Sequence, residues 1–234
     1  MSSPMLVTYI LGSTALIVVT MIAMMRFAPV AQPAGAFPAE PRRFAGPLIA
    51  LFAWLMAAVG LALSGVYFRG TAGIPTIQFG ILIPIVLGVA AYATSPGIRA
   101  FIGSLPQGWL VGVQLYRVIG GIFLVLWSAG QLPALFAWPA GAGDIAVGLA
   151  APFIAWAASK RGGRAAAVVW NIAGMADLGV ALATGFLTSP SKFQMFAFDA
   201  PNLMVGQFPL ILIPTFLVPL SILLHLASLA GLRK

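Results

Sequence analysis

Three charged side chains lie near the centres of three otherwise apolar segments: Arg117, Asp144 and Asp177. At a rise of ~1.5 Å per helical residue, each charge falls within roughly 3 Å of the midpoint of its segment. A charge at that depth in a bilayer costs ~2.5–3.5 kcal/mol on insertion scales unless it is paired or faces water. One arginine and two acids on successive helices can meet and relieve this cost. We therefore expect a binding or proton-coupling site at these residues.

The arginine determines the chemistry expected of this site. A guanidinium keeps its proton at any realistic pH, so Arg117 needs an anion or water. We predict a distance of ~2.7–3.2 Å between a nitrogen of Arg117 and a carboxylate oxygen of Asp144 or Asp177. Asp144 is the favoured partner because only the short turn at 130–133 separates the two helices. The second acid could then exchange a proton near neutral pH. Alternatively, the arginine and the two acids only bond the helices to one another, and the site transports nothing.

Uncharged polar side chains extend this predicted site. Gln114 and Gly121 share a helical face with Arg117, at spacings of three and four residues. Asn171 adds an amide one helix further on, and Gln78 and Gln207 are more distant candidates. The predicted binding or proton-coupling residues are Arg117, Asp144, Asp177, Gln114 and Asn171.

Residues typical of catalytic and metal centres are scarce in this sequence. The chain has no cysteine and one histidine, His225, so a zinc site is not expected. A Gly-rich phosphate loop and a nucleophile–base pair are also missing from the sequence. We interpret His225 as a hydrogen-bonded residue toward the cytoplasmic end of the last helix. No spacing assigns a methionine as a partner for haem ligation. We predict that the protein is not an enzyme, and the sequence indicates no cofactor.

Composition places the chain in a membrane. Of its 234 residues 61% are hydrophobic and 7% charged, with a mean hydropathy of +1.05. Soluble domains carry ~25% charged residues, so a soluble globule is excluded. The net charge of +8 comes from basic residues at segment ends and not from one patch with interleaved aromatic residues. The pattern therefore indicates positive-inside topology and excludes nucleic acid as a partner.

The hydropathy pattern predicts an all-α bundle of seven transmembrane helices that forms a single integral membrane domain, 1–234. Each apolar run has about the ~20 residues that a helix needs to cross a bilayer. The first run lacks a basic leader and a clear cleavage site, so we interpret it as a retained helix. The predicted spans are 5–27, 47–68, 74–94, 108–130, 133–159, 164–187 and 209–229.

Lysine and arginine residues predict the orientation, with the N-terminus outside and the C-terminus in the cytoplasm. Lys192 and Arg69 then lie outside, and Arg117 lies within the membrane. This distribution suits a multi-pass protein of a bacterial inner membrane. Nine basic residues fall on the cytoplasmic side: Arg26, Arg42, Arg43, Arg99, Lys160, Arg161, Arg164, Arg233 and Lys234.

The connections and the last span have distinct patterns. The proline-rich segment 28–46 predicts an extended cytoplasmic loop. The aromatic segment 187–208 predicts a short helix at the outer interface or a cap over the bundle, and 95–107 predicts a short interfacial helix. Three prolines at 209, 214 and 219 predict bends in the last span. An offset of 33 residues aligns Asp144 with Asp177, by chance or as a degenerate inverted repeat.

The segment from Arg117 to Arg164 resembles DoxX-like membrane proteins. The similarity lies in Arg117-Val-Ile-Gly-Gly-Ile-Phe, in Ala129-Gly130-Gln131-Leu132-Pro133, and in the acid and glycines from Gly143-Asp144 to Gly148-Leu149. The family pattern has glutamate where this chain has Asp144, and three further spans precede the similar region. Because DoxX-like proteins are associated with respiratory and redox assemblies, the resemblance implies an accessory role.

Three functional hypotheses follow from these patterns. The first is a small transporter or channel-like protein in which one of the two acids carries a proton. The second is a non-catalytic accessory or assembly subunit, bound to a membrane partner or to further copies of itself. The third is a redox subunit that binds haem or quinone.

Overall fold

The computed structural model describes residues 3–27, 45–67, 76–160 and 162–233. Within these ranges every regular element is a helix. The elements in chain order are α1 (Ser3–Phe27), α2 (Ala45–Leu63), α3 (Ile77–Thr94), α4 (Pro96–Ser104), α5 (Gln107–Gly112), a 3₁₀ segment (Val113–Gly121), α6 (Ile122–Ser128), α7 (Ala134–Ala158), α8 (Arg164–Thr188), a π segment (Ile213–Leu217) and α9 (Val218–Leu232).

Seven helical segments are long and apolar enough to cross a membrane, which confirms the predicted number. Their bounds agree with the sequence to within five residues. The largest difference is in the second span, which ends at Leu63 and not at 68, and the last span begins at Ile213 and not at 209. Residues 209–212 form successive turns, in which the Leu212 amide donates to Pro209 at 3.1 Å. Orientation stays a prediction, because Arg42, Arg43, Arg69, Arg161 and Lys234 lie outside the described residues.

The fourth span changes its helical type midway through the bundle. Between α5 and α6, Val113–Gly121 winds as a 3₁₀ helix. Such a helix has three residues per turn, and runs longer than three or four residues are uncommon. Residues three apart therefore share a face, and Gln114, Arg117 and Gly120 are its buried residues. The prediction that Gly121 shares this face was wrong, because it assumed α-helical spacing.

The last span also departs from regular α-helix. Its first turn, Ile213–Leu217, is a π segment that contains Pro214, and Pro219 follows at the start of α9. Proline removes a backbone donor and disturbs the helical ladder, as the sequence predicts for this span. The Tyr116 hydroxyl donates to the Leu217 carbonyl at 3.0 Å. The 3₁₀ segment of the fourth span thus faces the π segment of the seventh span.

Helix α7 packs against the 3₁₀ segment and α8. A Schellman turn joins α6 to α7: the Gln131 amide donates to Leu126 and the Gly130 amide to Trp127, both at 2.8 Å. Gly130 has a φ of +70°, which this turn requires. The turn makes the fourth and fifth spans antiparallel neighbours, so that their charged residues can meet.

The connections between the helices agree only in part with the predictions from the sequence. Helix α4 confirms the short helix after 95, and Ser95 caps it by accepting from the Ile98 amide at 3.3 Å. Between α8 and the π segment the structure has turns and no helix, so the predicted interfacial helix is wrong there. Buried Asn202 and Val205 pack this segment onto the bundle, as expected of a cap. Residues 28–44 of the predicted proline-rich loop lie outside the described residues.

Candidate functional site

Arg117 is the centre of a buried polar cluster. Its side chain is 2% exposed, and four hydrogen bonds and one further ion-pair contact surround its guanidinium. Nε donates to Asp144 Oδ1 at 2.7 Å, and Nη2 lies 2.7 Å from the same oxygen and donates to Asp177 Oδ2. Nη1 donates to the Gly174 carbonyl at 3.1 Å and lies 3.3 Å from His225 Nε2. Each guanidinium nitrogen therefore has an acceptor within this chain.

Both aspartates bind the arginine. The predicted contact with Asp144 is confirmed, and Asp177 makes a second ion pair. The sequence left open which acid would pair, because it could not show that α7 and α8 approach the 3₁₀ segment together. Arg117 engages Oδ1 of Asp144 and Oδ2 of Asp177, so each carboxylate keeps its other oxygen for a different partner.

Glycines make room for the two carboxylates. A Cβ on Gly120 would overlap Asp144 Oδ2, and a Cβ on Gly143 would overlap Asp177 Oδ1. Gly148 allows a similarly close approach of backbones, because its Cβ would lie 2.9 Å from the Val118 amide nitrogen. Small residues let helices approach closely in lipid. Gly120 and Gly143 therefore leave the space that the two carboxylates occupy, as well as allowing close packing of the helices.

His225 belongs to the cluster and not to an interface. It is fully buried, with Nε2 toward Arg117 and Nδ1 2.8 Å from Asn171 Oδ1. Because Arg117 can only donate, Nε2 must accept, and Nδ1 then carries the hydrogen that binds Asn171. The network thus selects one neutral tautomer of His225. The interpretation of His225 as a hydrogen-bonded residue is confirmed, although its partners include the central arginine.

The hydrogen bonds continue from His225 toward one end of the bundle. Asn171 Nδ2 donates to the Ala167 carbonyl at 2.7 Å and to Ser228 Oγ at 2.8 Å. Gln107 Nε2, on the first residue of α5, also donates to Ser228 Oγ. This series of hydrogen bonds therefore links the central charges to the start of the fourth span. It passes through His225, the two amides of Asn171 and Gln107, and the Ser228 hydroxyl.

A second polar pair joins Gln114, one turn before the arginine on the fourth span, to Ser221 near the start of α9. Gln114 is fully buried; its Nε2 donates to the Ser221 carbonyl at 3.3 Å and its Oε1 accepts from the Ser221 hydroxyl. A cavity of about 20 Å³ adjoins this pair, lined in part by Tyr116, Arg117, Asp144 and Ser221. That volume is about the size needed for one water molecule.

The structure thus brings together all five predicted site residues: Gln114, Arg117, Asp144, Asn171 and Asp177. Sequence reasoning missed the contributions of α9. Ser221, His225 and Ser228 recur at spacings of four and three, which places them on one face of an otherwise apolar helix. That spacing was the signal available. Within the described ranges, neither Gln78 nor Gln207 hydrogen-bonds to this cluster.

The charges of the cluster do not balance. With both acids ionised, one positive and two negative groups give a net charge of −1. A buried net charge is costly, and one bound proton would remove it. Each nitrogen of the Arg117 guanidinium already has an acceptor within the chain. Within the described chain, no group of three His, Cys, Asp or Glu side chains could hold a metal ion.

Loss of the histidine should weaken this network. We expect His225→Leu to destabilise the protein by ~1–3 kcal/mol, because Asn171 Oδ1 is left buried without its donor. His225→Gln is the control, since its amide can accept from Arg117 and donate to Asn171. Unfolding in detergent, followed by circular dichroism, measures both. Equal stability of wild type and His225→Leu would contradict the proposed bonding.

Comparison with known proteins places the chain by sequence. A family model, described as a domain of unknown function (DUF8737), matches residues 74–233. This range covers all the residues of the polar cluster, from Gln107 to Ser228, and leaves α1 and α2 outside. No curated protein matches the chain, and no solved structure matches it. Since the matched range exceeds half of the sequence, the chain belongs to the DUF8737 family.

Proposed function

We propose that this protein is a small multi-pass membrane transporter or channel-like protein whose Arg117 cluster binds and releases one proton. The observation that carries the proposal is the bridging of Asp144 and Asp177 by a single arginine inside the bundle. Such an arrangement has a surplus carboxylate. Intramembrane ionisable groups commonly mark proton relays and ion pathways.

Asp177 is the acid that we assign to proton exchange. Its side chain is 17% exposed, against 11% for Asp144, and Arg117 engages one of its oxygens where it makes two contacts with Asp144. Fewer contacts with Arg117 stabilise the ionised form of Asp177, and its greater exposure gives a proton easier access. Binding of the proton would neutralise the cluster and weaken the link between α8 and the 3₁₀ segment.

The proposed location is a bacterial inner membrane, with the N-terminus outside. Seven helices of sufficient length and apolarity support integration into a membrane. The orientation rests on the excess of lysine and arginine in the connections assigned to the cytoplasm. The last residue of α9 and the first of α8 then lie on the cytoplasmic side.

Proton flux into liposomes tests the transport proposal. We expect Asp177→Asn to lower flux at least about tenfold, as measured with an internal pH-sensitive dye under a potassium diffusion potential. Removing an essential protonation site costs at least the ~1.4 kcal/mol that corresponds to a factor of ten. Asparagine leaves Arg117 and Asp144 balanced and resembles the protonated acid, so the bundle should stay folded.

The matched control is Asp199→Asn. Asp199 is exposed in the connection before the π segment, and it undergoes the same chemical change away from the cluster. We expect its flux to equal that of wild type. Equal flux in all three proteins, or none in wild type, would count against transport.

A non-catalytic accessory subunit is the second candidate. One observation favours it: Arg117 binds groups on α7, α8 and α9, as expected of interhelical bonding. Affinity purification in mild detergent separates the two candidates. A stoichiometric membrane partner, together with unchanged flux for Asp177→Asn, would favour this role. Haem binding has less support, because both ring nitrogens of His225 are engaged in hydrogen bonds.

A further inference from the structure

A long apolar cleft lies between α2, α3 and α9, on the side of α9 that faces away from the polar cluster. Its volume is about 1200 Å³. The cleft extends from Tyr67 and Thr76, beside the ends of α2 and α3, to Arg233 at the end of α9. The 18 residues of α3 span ~27 Å, so the cleft crosses most of a ~30 Å hydrocarbon layer.

The walls of this cleft present mainly carbon atoms. Leu220, Leu223 and Ala230 line it from α9, opposite the face that carries Ser221 and His225. The two threonine hydroxyls in the walls bind backbone carbonyls: Thr76 donates to Val66 and Thr215 to Ile211, both at 2.7 Å. The cleft therefore suits an apolar chain better than a polar solute.

One end of the cleft is charged. Arg233 lines this mouth and is exposed, and Ile98 and Ile102 of α4 lie beside it. The neighbouring Arg99 is already engaged, because its guanidinium donates to the carbonyls of Tyr92 and Ala93 at the end of α3. Arg233 is thus the cation that the cleft offers to an occupant.

We propose that this cleft binds one anionic phospholipid, with its acyl chains along α2, α3 and α9 and its phosphate on Arg233. The volume exceeds the ~300–1,000 Å³ typical of sites for small molecules, and the site combines long apolar walls with a cation at one mouth. Basic pockets between transmembrane helices bind anionic headgroups on the cytoplasmic side, where the predicted orientation places Arg233. The proposal does not depend on proton exchange at Asp177.

Lipid retention tests this site. The full chain is reconstituted in vesicles of equal parts phosphatidylglycerol and phosphatidylcholine and extracted in mild detergent, and bound lipid is quantified by mass spectrometry. We expect about fivefold enrichment of phosphatidylglycerol, which corresponds to ~1 kcal/mol for one basic residue near the surface. Arg233→Gln should abolish the enrichment. Arg164→Gln should retain it, since Arg164 is an exposed arginine at the same end of the bundle and outside the cleft.

A second variant tests where the chains lie. Ala57 lines the cleft from α2 and is exposed, so Ala57→Phe fills space without entering the packed core. We expect it to reduce retention of both lipids while the thermal unfolding temperature is maintained. Three results would each overturn the proposal: equal retention of the two lipids by wild type, equal loss of enrichment in Arg233→Gln and Arg164→Gln, or undiminished retention in Ala57→Phe.

Discussion

Replacement of Arg117 by leucine is expected to destabilise the bundle by ~3–5 kcal/mol, which is the largest effect of any single change considered. The change removes the charge that compensates two buried carboxylates, and breaking a buried ion pair from one side costs about this much. It also leaves the Gly174 carbonyl and His225 without their donor. Denaturant titration in detergent micelles measures the loss.

Stepwise removal of the acids checks the origin of this loss. In the Arg117→Leu background, Asp144→Asn should recover part of the stability and a further Asp177→Asn should recover more, because each step removes one uncompensated charge. The sequence alone predicts that Asp144→Leu recovers much of the loss. Arg164→Leu, at an exposed site, is the control for loss of an arginine. A variant Arg117→Leu as stable as wild type would exclude a charged, buried cluster.

A methyl group on Gly143 is expected to cost ~1–3 kcal/mol and to disturb the ion pair of Asp177. The added Cβ would overlap Asp177 Oδ1, so α7 and α8 must separate or the carboxylate must turn away from Arg117. Overpacking of this kind typically costs that amount. Thermal unfolding of Gly143→Ala reports the stability, and proton flux reports the effect on the site.

Gly179→Ala provides the matched control. Gly179 lies in the interior of α8, and a Cβ there would have no atom within 4 Å. Alanine is preferred over glycine in helices by up to ~1 kcal/mol, so this variant should be as stable as wild type or slightly more stable. If both glycine variants lost stability equally, helix flexibility and not contact with Asp177 would be the cause.

The number of helices and the identity of the charged residues could both be read from the sequence. Apolar runs of about 20 residues require helices in a bilayer, because the backbone must satisfy its hydrogen bonds internally. Arg117, Asp144 and Asp177 stood out because charge at such depth is costly unless it is paired. The tight turn at Gly130 further predicted that the helices of Arg117 and Asp144 are neighbours, as the structure has them.

Other features depended on tertiary packing. A 3₁₀ segment in place of α-helix exchanged Gly121 for Gly120 on the buried face, and no local pattern announced that change. The pairing of Asp177 with the same guanidinium, and the inclusion of His225, required α8 and α9 to meet the fourth span. Residue types and spacing within one helix determine which face is polar. Which polar faces meet is decided by how separate helices pack, because those contacts join residues as many as 121 positions apart.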